Sequence, residues 1–128
     1  MSSTPILVVD MGRVLDECPA GRAASVTLQQ RYTASKAAFE KLRGKADGAG
    51  SSAGRARAEE AAAQFQEQAI AEIEAERARL GQAAVATILP VLEAVRSERD
   101  ASIVVDTRTT LAAAAGLDIT DEVLRRLG

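Results

Sequence analysis

Histidine and tryptophan are missing from this sequence, cysteine occurs once, and the aromatic residues are only Tyr32, Phe39 and Phe65. Without histidine, and with Cys18 as the single thiol, the usual nitrogen and sulfur ligand sets for zinc or haem are excluded. Only carboxylates could hold a metal, and neither a metal nor a cofactor is expected. Cys18 cannot form a disulfide within the chain and suits any compartment. The shortage of aromatics bears on folding. The hydrophobic fraction is 47%, but much of it is alanine, which offers little area to bury, so a large core within one chain is not expected. At 128 residues the chain is one domain's worth of material, or part of a domain completed by assembly.

Long apolar runs are lacking too. None approaches the roughly 20 residues of a membrane span. No basic segment followed by an apolar one precedes Ile6, so no secretory leader is expected in these residues, although a mature form restarted at a new methionine would look the same. Neither sign of charge dominates: 16 Lys and Arg stand against 18 Asp and Glu, a net −2. Nucleic-acid binding driven by overall charge is thereby excluded.

What is present falls into three zones. Ile6 to Val9 (I-L-V-V) is a short β-type run after Pro5, closed by Asp10, and Ser102 to Val105 (S-I-V-V) is a second, closed by Asp106. Between them lies a long helical excursion. From about Ala20 to Arg43, Leu28, Tyr32, Ser35, Phe39 and Leu42 recur with the alternating spacing of a coiled-coil seam, and Pro19 sits where a helix tolerates proline. Gly44 to Gly54 (G-K-A-D-G-A-G-S-S-A-G) marks a break, and a second helix is expected from about Arg55 to Arg99. Two such arms make an antiparallel hairpin. Pro90 removes one backbone donor from the returning helix, and either a local bend or a hinge follows. Thr109 to Ala114 could form a third strand, and Asp118 to Leu127 (D-I-T-D-E-V-L-R-R-L) a terminal helix with acids first and arginines last. Two or three short strands cannot close a core alone. Pairing with copies of the chain is the expected remedy.

V-V-D-M-G, at Val8 to Gly12, is close to the motif that carries the nucleophilic aspartate of haloacid-dehalogenase-type hydrolases. Such an enzyme also needs a multi-stranded parallel sheet, a hydroxyl, a lysine and a later acidic pair for magnesium. The helical excursion uses the length a sheet would need, so Asp10 reads as the end of a strand and the chain as no enzyme.

The two ends resemble the Skp/OmpH family of periplasmic chaperones. I-L-V-V-D-M-G-R-V-L with P-A-G-R-A-A is similar to the family's opening strand, turn and start of the first long helix; S-I-V-V-D-T-R-T-T-L and D-I-T-D-E-V-L-R-R-L are similar to its closing strands and terminal helix. The resemblance implies a mostly helical α+β fold. In it, a small β body assembled in a homotrimer (residues 1–19 and 100–128) would carry one helical hairpin arm per chain (residues 20–99, tip 44–54). Ile6, Leu7, Val8, Val9, Ile103, Val104 and Val105 would be body and trimer-interface residues. The implied activity is that of an ATP-independent holdase in the periplasm, with unfolded outer-membrane proteins as clients held between the arms. A trimeric coiled-coil adaptor or tether is the alternative.

The sequence also departs from that family, whose familiar members are basic overall. Here the positive charge is local. Lys36, Lys41, Arg43, Lys45, Arg55 and Arg57 face only Glu40 and Asp47 in the same stretch, a local +4. These six are the expected client contacts near the tip, and an acidic membrane surface is a further partner they would suit. The lipopolysaccharide site proposed for one member is echoed only by Arg77 and Arg79, with Leu80 where another basic residue would stand, so that activity is not expected. The arms are about a heptad shorter than in familiar members. Cys18 reads as an ordinary small residue of the turn after the first strand.

Overall fold

The computed structural model describes residues 4–128. Its elements run β1 (Ile6–Val9), α1 (Met11–Glu17), α2 (Pro19–Asp47), α3 (Ser52–Glu98), β2 (Ile103–Asp106) and α4 (Thr120–Leu127). They form two compact units: a body of residues up to Ser25 with Leu80–Gly128, and a hairpin of Val26–Arg79.

In the body, β1 and β2 pair in parallel, Ile6 opposite Ile103 through Val9 opposite Asp106. Parallel pairing demands a long crossover, and the helical excursion supplies it. On the other edge of β1 the Val8 carbonyl accepts the Ile119 amide at 2.9 Å. The core gathers Leu7, Val14, Ile88, Val95, Ile119 and Val123, none more than 1% exposed. By length and composition alone α3 could cross a membrane, yet its Ile88 and Val95 lie fully inside this core.

Asp10 ends the strand and caps a helix. Its Oδ1 accepts the Arg13 amide at 3.0 Å, opening the seven-residue α1 where a simple turn into the long helix was expected. Proline at position 19 disfavours helical geometry in the residue before it, so α1 stops at Cys18, whose ψ is 157°. Cys18 is therefore no ordinary turn residue. It is 1% exposed, belongs to the core, and its Sγ accepts the Gly21 amide at 3.3 Å.

The third strand expected at Thr109 to Ala114 does not form. Thr107–Thr109 is a single 3-10 turn, and the residues after it are irregular up to a second such turn at Ala115–Leu117. Asp106 explains the difference. Its carboxylate accepts the Arg108 amide, while its carbonyl accepts the hydroxyls of Thr109 and Thr110 at 2.9 and 3.2 Å. Such local bonds offer the backbone an alternative to a ladder, and the following alanines have little strand preference to oppose them.

The terminal helix starts at Thr120, two residues later than its sequence suggests, because Asp118 Oδ1 accepts both the amide and the hydroxyl of Thr120. The Thr120 hydroxyl in turn accepts the Asp10 amide at 2.9 Å, joining the end of β1 to the start of α4. Thr120 is the one polar residue among the fully buried ones described, at 2% exposure. Thr120→Val keeps the shape but leaves the Asp10 amide without its partner. It is expected to lower stability by about 1–3 kcal/mol, read as a lower urea midpoint with unchanged slope.

Ion pairs hold α4 against the end of α3. Arg99 reaches Glu122, and Arg126 bridges Glu98 and Glu122. Hydrogen bonding from Arg126 holds the Glu98 carboxyl below its ordinary value. Burial pushes Glu122 up, but the hydrogen bonds and charges of Arg99 and Arg126 outweigh it and the net direction is down. Both groups thus bind protons less readily folded than unfolded. Their contribution is complete above the ordinary carboxylate value of about 4.3 and fades as the pH falls through the folded values. The Tm should drop on acidification below that point, and less steeply in Glu122→Gln, whose own Tm at neutral pH is already lower.

In the hairpin unit, α2 and α3 are joined by residues 48–51, a shorter break than residues 44–54. Helix α2 continues through Gly44 to Asp47, and Ser51 Oγ accepts the Gly54 amide at 3.0 Å, so α3 is capped from Ser51 onward. Along α2 the sheltered seam includes Leu28, Ser35, Phe39 and Leu42 and continues to Ala46, whereas Tyr32 is 56% exposed. Along α3 the sheltered positions are Gly54, Ala58, Ala62, Phe65, Ala69, Ile73 and Glu76. Their 4-4-3 spacing is an eleven-residue repeat rather than a heptad. The seam is thus built largely of small side chains.

Candidate functional site

The body and the hairpin carry different surfaces. In the body, Leu7, Val8 and Val9 are buried, Val104 and Val105 half-buried, and Ile6 and Ile103 exposed at 51% and 47%. Because Ile6 and Ile103 are register partners, they form one apolar end of the sheet. Leu111, in the irregular segment after β2, is fully exposed. Pro90 lies on an exposed side of α3, inside an unbroken helix. Within the body Arg13, Arg96, Arg99, Arg108 and Arg126 are all ion-paired.

The hairpin's cations behave differently. Arg31 and Arg79 share Glu76, and Arg55 pairs with Glu59 at 3.3 Å. Hydrogen bonding from Arg79 draws the Glu76 carboxyl down. Lys36, Lys41, Arg43, Lys45 and Arg57 are exposed and make no ion pair among the described residues. Four of the five flank the turn. Lys36 stands eleven residues before the end of α2, roughly 16 Å along the helix at 1.5 Å per residue, so it belongs to the flank of the hairpin rather than its tip. Unpaired cations in water keep their full field for other partners. Arg77, the other half of the lipopolysaccharide echo, is exposed, while Arg79 is tied to Glu76 at 2.5 Å.

Beside Lys36 lies a feature that periodicity did not reveal. Tyr32, Phe39, Phe65, Ile70 and Ile73 line a groove of about 320 Å³ between the two helices, with Ser35 and Gln66 as its uncharged polar lining. A second recess of about 240 Å³ adjoins it through Phe39 and Gln66 and is bordered by Arg43 and Glu59. All three aromatic residues of the chain thus meet in one place. The signal in the sequence was that clustering within one hairpin, rather than any motif. Among the described residues no group of His, Cys, Asp or Glu is arranged to hold a metal.

Comparison with known proteins adds three findings. Residues 5–127 match the family described as outer membrane protein (OmpH-like). The fold matches a crystal structure from Caulobacter crescentus CB15, described as a candidate outer membrane chaperone (OmpH-like), with a TM-score of 0.69 and 17% identity, covering 99% of this chain and 85% of that one. No curated protein matched in sequence.

Proposed function

The chain belongs to the OmpH-like family of outer membrane proteins, and from that premise we propose that it is an ATP-independent holdase for unfolded outer-membrane proteins, acting as a homotrimer in the periplasm. Family membership supports a chaperone and a non-enzymatic role, and an α+β fold of long helices on a small sheet fits it. The observation that carries the reading is the set of exposed cations on the hairpin, Lys36, Lys41, Arg43, Lys45 and Arg57, that make no ion pair among the described residues.

A holdase must bind unrelated chains weakly and at several points. Multivalency then keeps the client captured while each contact stays short-lived. Steering by the hairpin cations brings an acidic segment close, and the same charges suit an acidic membrane surface. The small-residue seam leaves the hairpin able to adapt to different clients. Trimer formation is supported by what the body leaves uncovered: a sheet of two strands, the apolar end made by Ile6 and Ile103, and Leu111. Two strands are too few for a sheet to stand alone, and an open edge invites pairing. Pro90 is proposed as a bend in α3 at which the helix can yield, since the Ala86 carbonyl lacks its helical donor.

The test dilutes a urea-unfolded outer-membrane β-barrel into buffer containing this protein, without nucleotide, and records light scattering and the mass of the soluble complex. Suppressed scattering, with three copies of this chain per client or a multiple of three, is the expected result. Unchanged aggregation in the presence of an intact trimer would sink the holdase reading in favour of a trimeric adaptor or tether.

A further inference from the structure

Resting on the holdase reading, we propose that the aromatic groove of the hairpin is a specific docking site for a short extended polypeptide segment with bulky apolar residues at alternate positions and an acidic residue beside them. The groove and its adjoining recess run from Tyr32 to Arg43 along α2. Eleven residues of helix span roughly 16 Å, which matches about five residues of extended chain at 3.3 Å each. In an extended segment alternate side chains share one face. Two or three of them would enter between Tyr32, Phe39, Phe65 and Ile70.

The chemistry of the walls sets the occupant. Tyr32 and Ile70 are 56% and 51% exposed, so bulky apolar area is available without rearrangement. The side chains of Ser35 and Gln66 make no hydrogen bond among the described residues and can meet a passing peptide backbone, as the few polar groups of an apolar site do. Charge fixes the sign of the flank. Lys36 and Arg43 are unpaired, and the single acid on the rim, Glu59, is held by Arg55 at 3.3 Å. A second copy of this chain is a poorer fit. The two recesses together present about a dozen side chains, against the 20–30 residues per side of a stable interface.

The groove carries its own reporter, because Tyr32 is the sole tyrosine and there is no tryptophan. The full-length protein is titrated with a seven-residue peptide of alternating phenylalanine and serine ending in two aspartates. Saturable change in tyrosine emission is expected. Replacing the phenylalanines by serine should abolish it, and replacing the aspartates by lysine should weaken it. Ile70→Ser and Lys36→Glu, both at exposed positions that leave the helical circular dichroism unchanged, are expected to raise the Kd by about tenfold and severalfold, the latter only at low salt. Val26→Ala, also exposed, is the neutral control.

No emission change, or equal affinity for all three peptides, overturns the proposal. So does emission per tyrosine that changes with protein concentration in the absence of peptide and ceases to do so in Ile70→Ser, which would make the groove a contact between copies. Light scattering with the unfolded β-barrel separates the two readings: suppression without a tyrosine response defeats the groove alone, and a tyrosine response without suppression defeats the holdase.

Discussion

Gly21→Ala is expected to destabilise the body by roughly 3 kcal/mol or more, enough to shift most of a marginally stable domain toward the unfolded state. A Cβ at Gly21 would sit 1.4 Å from the Leu15 carbonyl oxygen and 2.6 Å from its carbon. Both are backbone atoms, so no side-chain rotation relieves the clash. The corner between α1 and α2 would have to open, drawing Val14 and Cys18 away from the core they help fill. Gly44 and Gly81 are the controls. An added methyl meets nothing within 4 Å at either position, and both lie inside helices. Alanine should there raise stability, by up to about 1 kcal/mol each. Urea unfolding followed by circular dichroism reads all three; an unchanged midpoint for Gly21→Ala would mean that the corner does not pack this closely.

That corner also shows where the sequence stops speaking. The two strands, the hairpin and the terminal helix were legible because each announces itself locally: β-branched runs closed by aspartate, a glycine-rich break, acids before arginines. Helix α1 and the role of Cys18 were not. They depend on Asp10 capping backward from a strand end and on Pro19 stopping a helix one residue before it, two effects that compete with the simpler reading of one turn into one helix. The strand expected at Thr109 failed for a related reason, since the Asp106 carbonyl takes up the hydroxyls that a strand would have left outside.

The candidate site was half legible. The cations of the hairpin could be counted from the sequence, but whether they were free or paired could not. The aromatic groove escaped because its lining joins sheltered seam residues, Phe39, Phe65 and Ile73, to Tyr32 and Ile70, which stand more than half exposed outside the seam.

The freedom of those cations has a measurable consequence. Reversing Lys41, Lys45 and Arg57 to glutamate should slow capture of an unfolded client whose own charge is negative by one to two orders of magnitude at low salt, while changing the stability of the hairpin little. All three are exposed and lack ion-pair partners among the described residues, and substitutions at such sites usually stay within about 0.5 kcal/mol. None of the three lines the aromatic groove, so short-range docking is left intact and the loss should fall on association rather than release. Steering acts over a Debye length, about 8 Å at physiological salt and far more at low salt. The difference between the proteins should therefore shrink steadily as salt is added. Stopped-flow anisotropy with a labelled, urea-unfolded β-barrel gives both rates directly. A salt-independent loss would point instead to direct contacts made by these side chains, and equal rates at low salt would remove the electrostatic role of the hairpin altogether.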